Sequence, residues 1–117
     1  MTIISGRLAN IQTLPSTAAS VYSNPTSVKS YVGGITLHNT NTTNEIVDVH
    51  NVPNSGGALG TASAVNRFIR VTMAPNDTIS YSFPGDGLVL VDPNDSIQAK
   101  STTAGVVTIQ LSGPTEI

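Results

Sequence analysis

The chain of 117 residues has no cysteine and no tryptophan, and it carries only five basic and seven acidic side chains. Without thiols there is no disulfide framework, no thiolate zinc site and no cysteine nucleophile. Three Tyr and two Phe are the whole aromatic complement, which leaves little for the stacking platform of a saccharide-binding module. Charged residues make up 10% of the chain, against about 25% in ordinary soluble domains. The five cations, Arg7, Lys29, Arg67, Arg70 and Lys100, are scattered, so no basic stripe marks a nucleic-acid surface. No apolar run approaches the ~18 residues of a membrane span. The opening MTIISGRLANIQ has neither the charged start nor the long apolar stretch of a secretion signal. The expectation is a soluble product of the cytosol with no export address of its own, bound to neither nucleic acid nor membrane.

What replaces charge is neutral polarity: 13 Ser, 15 Thr and 10 Asn. A net charge of −2 with 38% hydrophobic residues is not the composition of a disordered chain, which combines high net charge with low hydrophobicity. Weakly charged surfaces associate readily, so the composition predicts an ordered, oligomeric protein. The length suits one domain.

The pattern is that of extended strands. In Tyr31–Pro53 the residues Ile35, Leu37, Val47 and Val49 sit at alternate positions around the run Asn39 to Asn44. Period-two alternation marks strands with one buried face, and an Asn-rich gap marks a turn. The expectation is a hairpin with those four side chains inward and Thr36, His38, Asp48 and His50 outward. Alternation recurs at Ile69, Val71 and Met73, at Ile79, Tyr81 and Phe83, and at Val107, Ile109 and Leu111, separated by Ala74–Asp77, Pro84–Gly87 and Asp92–Asp95. Gly33-Gly34 inside a strand predicts a bulge or a close backbone approach. No segment has helical periodicity. The fold class is all-β, a single antiparallel β-sandwich, jelly-roll-like, with about eight short strands. Residues 1–15 form an N-terminal arm or an edge strand, and 16–117 form the sandwich.

The constellations that could carry chemistry are few. His38, Asp48 and His50 would share a hairpin face, but zinc takes three or four converging ligands with outer support, and no metal site is assigned. Paired histidines near a subunit contact could instead make assembly pH-sensitive. Asp77, Asp86, Asp92 and Asp95 fall in turns, where Asp bonds its own backbone, and no loop has calcium-site spacing. The loop Pro53–Gly60 lacks the Lys-Ser/Thr ending of a phosphate cradle. There is no G-x-S-x-G elbow, and Glu45 and Glu116 are not placed as a catalytic pair. No enzyme and no cofactor are expected. The candidate contacts with partners are Ile3, Ile4, Arg7, Leu8 and Ile11 of the first segment, together with Phe68 and Arg70. Phe68 either meets a partner or packs beneath the loop at 54–64.

From His50 onward the text reads HNVPNSGG, VNRFIRVTM and DTISYSFPGDGLVLVDPNDSIQAKSTTAGVVTIQLSG. With Asn39-Thr40, Asn66-Arg67, the strand Asp95–Lys100 and Ser112-Gly113 as landmarks, it resembles the short all-β virion proteins of tailed bacteriophages, cyanophages included. The resemblance covers about residues 19 to 117; Asn94 stands where that family often has Gly. It implies a virion structural protein, a capsid cement or decoration protein on the outer head surface. Its partner would be the major capsid protein, and it would be a homo-oligomer with a trimer favoured. The alternative is a neck, tail or fibre component, in one version saccharide-binding.

Overall fold

A computed structural model describes residues 3–4 and 6–117 as strands and loops, with no helix among them. In chain order the strands are β1 (Ile3–Ile4), β2 (Arg7–Thr13), β3 (Ala19–Ser23), β4 (Lys29–Val32), β5 (Gly34–Asn39) and β6 (Glu45–Val52). They continue with β7 (Arg67–Met73), β8 (Thr78–Ser82), β9 (Leu88–Leu90), β10 (Ser96–Ser101), β11 (Val107–Ser112) and β12 (Thr115–Glu116). Two four-stranded sheets, ordered β2-β11-β5-β8 and β3-β10-β6-β7, form the sandwich, and a third, β1-β12-β4-β9, lies at one end. All pairings are antiparallel.

This strand order is that of a jelly roll, two interlocked Greek keys. Of the connections between successive sandwich strands, only β6 to β7 stays within a sheet; the others cross to the opposite one. The core follows from alternation. Ile35, Leu37, Val107, Ile109 and Leu111 project from one sheet, and Val47, Val49, Ile69, Met73, Ile97 and Ala99 from the other. Their outward neighbours on β5, β8 and β11 are Thr, Ser, Gln and His.

The stretch Tyr31–Pro53 is therefore not a hairpin. β5 pairs with β8 and β11, and β6 with β7 and β10. The residues after Asn39 carry the chain across the core. Alternation reports which side chains are buried, not which strand lies alongside. The four apolar residues still meet, but from opposite walls. Gly33 is the joint at which one expected strand becomes two: its N–H donates to Ser112 O at 2.9 Å and its carbonyl accepts from Phe83 N at 3.0 Å, while β4 joins the end sheet and β5 the sandwich. Gly113, at φ 152°, is backed so closely onto the Tyr31 carbonyl that any Cβ there would collide with it.

The first segment is tied down along its described length. β1 pairs with β12, and β2 is the edge strand beside β11, while Met1, Thr2 and Ser5 of the expected arm lie outside the described residues. Ala9 and Leu14 are buried in the core, whereas Ile11 is 62% exposed. Leu14→Ala is expected to cost about 2–5 kcal/mol in urea unfolding, as large-to-small core changes do. Ile11→Ser on the same segment should stay within about 0.5 kcal/mol. Equal effects would mean that the first segment is not part of the core.

Candidate functional site

The two outer faces of the sandwich differ in kind. On β2-β11-β5-β8 the register aligns Thr13, Thr108, His38 and Thr78 in one row and Gln110, Thr36 and Ser80 in the next. His38 Nδ1 lies 2.7 Å from Thr78 Oγ1, and Thr36 Oγ1 lies 3.3 Å from Ser80 Oγ. Apart from Arg7 and the exposed Ile11 on its edge strand β2, this face presents hydroxyl, amide and imidazole groups.

The outer face of β3-β10-β6-β7 is half roofed. The glycine-rich loop between β6 and β7 folds back over it: Gln98 Nε2 donates to Gly60 O at 2.9 Å, and His50 Nδ1 lies 3.0 Å from both Ser63 O and Asn66 Oδ1. Both of the latter atoms are acceptors, so Nδ1 carries the proton. His50, Gln98, Ser96 and Val52 are buried on the sheet's outward side. The expectation that both histidines lie outside the core holds for the sandwich interior, but His50 is only 5% exposed. The roof itself carries exposed Leu59 and Val65.

Beyond the roof, Lys100, Asp48 and Arg70 stand abreast on β10, β6 and β7. Arg70 Nε lies 3.5 Å from Asp48 Oδ1, and Lys100 Nζ lies 4.0 Å from Oδ2. A cleft of about 270 Å³ opens there, lined by Ser16, Ile46, Ser101 and Thr102 as well as the three charged residues.

The constellation His38, Asp48 and His50 does not assemble. Because β5 and β6 do not pair, His38 lies on the outer face of one sheet and the other two on that of the opposite sheet. Among the described residues no three His, Asp or Glu side chains group as a metal site.

Of the expected contact residues, Ile3, Arg7 and Ile11 are exposed, and Leu8 packs against the core. The Ile4 side chain lies outside what is described. Phe68 is the extra residue of a bulge opposite Val49-His50; it is 36% exposed, and its ring meets Phe83 with centroids 6.0 Å apart. A bulge redirects a side chain, and here it sets the Phe68 ring against that of Phe83, the residue after β8. Arg70 is exposed beside Asp48.

Two acids organise the loops, and spacing alone did not single them out. Glu45, buried, accepts from Thr103 N at 2.7 Å, Thr103 Oγ1 at 3.0 Å and Asn41 Nδ2 at 3.1 Å. Asp95 accepts from Asn54 N and Nδ2, Val91 N and Asp92 N at 2.9–3.2 Å. Burial alone would raise the Asp95 pKa, but the donors from Asn54, Asp92 and Val91 outweigh it and hold the carboxyl below the usual carboxylate range. In the end sheet Tyr31 Oη donates to Glu116 Oε2 at 3.0 Å. That bond, then burial and the charges of Glu116 and Asp86, push the phenol pKa up.

No family model matches the sequence, and no curated protein matches it. Among solved structures, a chain from the Bacillus endospore appendages, a family of disulfide-linked pili, is similar with a TM-score of 0.50 and 19% identity. The match covers 97% of this chain and 87% of that one. At that identity the likeness concerns the fold. The present sequence has no cysteine with which to make a disulfide.

Asp95 has a folded pKa below its unfolded value, so its stabilising contribution is full above the unfolded carboxylate pKa of about 3.9 and is lost as pH falls through the folded value. Asp95→Ala should cost about 2 kcal/mol at neutral pH, and the variant should lose less stability than the wild type between pH 5 and 2 (about the range in which such carboxylates protonate), as urea melts across pH would record. Separately, Glu116→Gln should lower the alkaline titration of one phenol in an ultraviolet pH titration. An unchanged curve would dissociate Tyr31 from Glu116.

Proposed function

We propose that this chain is a structural subunit of a tailed-bacteriophage particle, a capsid cement or decoration protein bound to the outside of the major capsid shell. The observation that carries the reading is the neutral, hydroxyl-covered outer face of β2-β11-β5-β8. A face that must be covered by another subunit is best built without charges, because each buried ion left without a partner costs several kcal/mol (~3–5 when one partner of a buried pair is lost). Rows of Thr, Ser and Gln bond in either sense, and their contacts do not weaken with salt as exposed ion pairs do. Ile11, exposed on the edge strand β2 beside that face, adds an apolar contact, and the unpaired side of β2 offers backbone groups to a neighbour's sheet.

The mechanism is additive. Each copy bridges neighbouring capsomers through modest contacts, as a homo-oligomer with a trimer at local threefold positions, and many copies together resist internal pressure. No catalytic step is part of this reading. A second reading, a tail or fibre component, draws on the elongated form of 45 × 28 × 21 Å and on the apolar Ile3, Val89 and Ile117 exposed at or beside the end sheet. The similar Bacillus chain belongs to a filamentous assembly, which is compatible with that reading without favouring it for this sequence.

Quantitative mass spectrometry and electron cryomicroscopy of purified particles decide between them. Hundreds of copies over the head are expected; a handful at the tail would select the second reading, and none on the particle would overturn both. The paired change Thr36→Lys and Ser80→Lys, at exposed sites, should leave the isolated domain folded and reduce head occupancy at least about tenfold, the equivalent of 1.4 kcal/mol. Full occupancy would exclude that face as the contact.

A further inference from the structure

Two acids are buried among the described residues, Glu45 and Asp48, and a third, Asp95, is half-buried; of the three only Asp48 lacks donors. Glu45 accepts three hydrogen bonds and Asp95 four. The Asp48 side chain is 5% exposed and accepts none, and its Oδ1 is the one buried side-chain polar atom without a hydrogen-bond partner among the described residues. Arg70 and Lys100 compensate its charge at 3.5 and 4.0 Å, distances beyond the 2.7–3.2 Å of a hydrogen bond. Their own side chains are 55% and 44% exposed, so both cations can reach a bound molecule. The roofing loop that covers His50 and Gln98 on the same face contributes no residue to the lining of this cleft.

We propose that this cleft binds an acidic saccharide, with ring hydroxyls donating to Asp48 and the sugar carboxylate accepting from Arg70 and Lys100. The chemistry narrows the choice. A simple anion could meet the two cations but would bring no donor to Asp48, whose Oδ1 has no hydrogen-bond partner, and a cationic group would face Arg70 and Lys100. A neutral sugar would satisfy Asp48 and leave both cations to solvent. A uronic acid offers hydroxyl donors and a planar carboxylate together, and the guanidinium fork matches the latter in two-point geometry. Ile46 supplies an apolar wall for ring C–H groups. With no aromatic platform and a volume near 270 Å³, at the small end of ligand sites, single-site affinity is weak and gains from display in many copies. The proposal concerns the isolated chain and does not depend on where the chain is assembled.

The test is an NMR titration of the ¹⁵N-labelled protein with oligogalacturonate, and with a neutral cello-oligosaccharide of equal length. Expected are amide shifts at Ile46, Asp48, Arg70, Lys100 and Thr102 with the acidic ligand, and at least about tenfold weaker binding of the neutral one. Asp48→Asn preserves shape and breaks no internal hydrogen bond, so it should melt like the wild type while its affinity falls about tenfold or more; Arg70→Ala should lose affinity similarly. Absence of shifts in the wild type, equal response to the neutral sugar, or undiminished binding by Asp48→Asn would overturn the proposal. So would a large drop in melting temperature for Asp48→Asn without a titrating site, because the three charges would then be an internal strut.

Discussion

A strand that leaves one sheet and enters the opposite one must pass the rim of the core with its peptide groups off the ladder, and those groups still need partners. This chain meets that demand repeatedly, and it does so with side-chain amides and carboxylates. Asn39 is fully buried, and the two N–H groups of its Nδ2 are shared among the Thr43, Met73 and Ala74 carbonyls while its Oδ1 accepts from Asn41 N. One residue thus holds the β5–β6 crossing against the β7–β8 crossing. Glu45 binds Thr103 from the β10–β11 crossing. At the opposite pole Asn24 donates to Val28 O and Asp92 O and accepts from Ser30 Oγ, and Asp95 gathers the roofing loop and the turn after β9. These few polar anchors hold the crossings that the aliphatic interior alone leaves unpaired.

The same demand accounts for the composition. An Asn can stand at 0% or 2% exposure because its amide both donates and accepts and carries no charge to desolvate. Low charge, read first as a property of the surface, is also a property of how the crossings are built. With five aromatic residues, the interior relies on Ile, Leu and Val.

Period two identified the inward sets Ile35/Leu37, Val47/Val49 and Val107/Ile109/Leu111, and with them the all-β class and the sandwich. It could not supply partnership, because a strand's pattern is identical whether its neighbour in sequence lies beside it or across from it. The hairpin and the His38–Asp48–His50 grouping both failed on that point. The row Lys100, Asp48, Arg70 was illegible for the same reason, since its members are adjacent only once β6 is known to lie between β10 and β7. The anchors Asn39, Glu45 and Asp95 were visible as turn-flanking residues, and Asn39-Thr40 was a landmark of the resemblance. That an Asn beside a turn is buried rather than solvated depends on carbonyls that are distant in sequence, such as that of Met73.

Ile3 stands opposite Glu116 in the end sheet, so the first and last strands leave the body side by side. Ile3 and Glu116 mark that pole, while the crossings at 40–44, 74–77 and 102–106 gather at the far one, linked by Asn39 and Glu45. One end of the sandwich is thus closed by short strands paired to each other, and the other by loops that side-chain amides and carboxylates tie together.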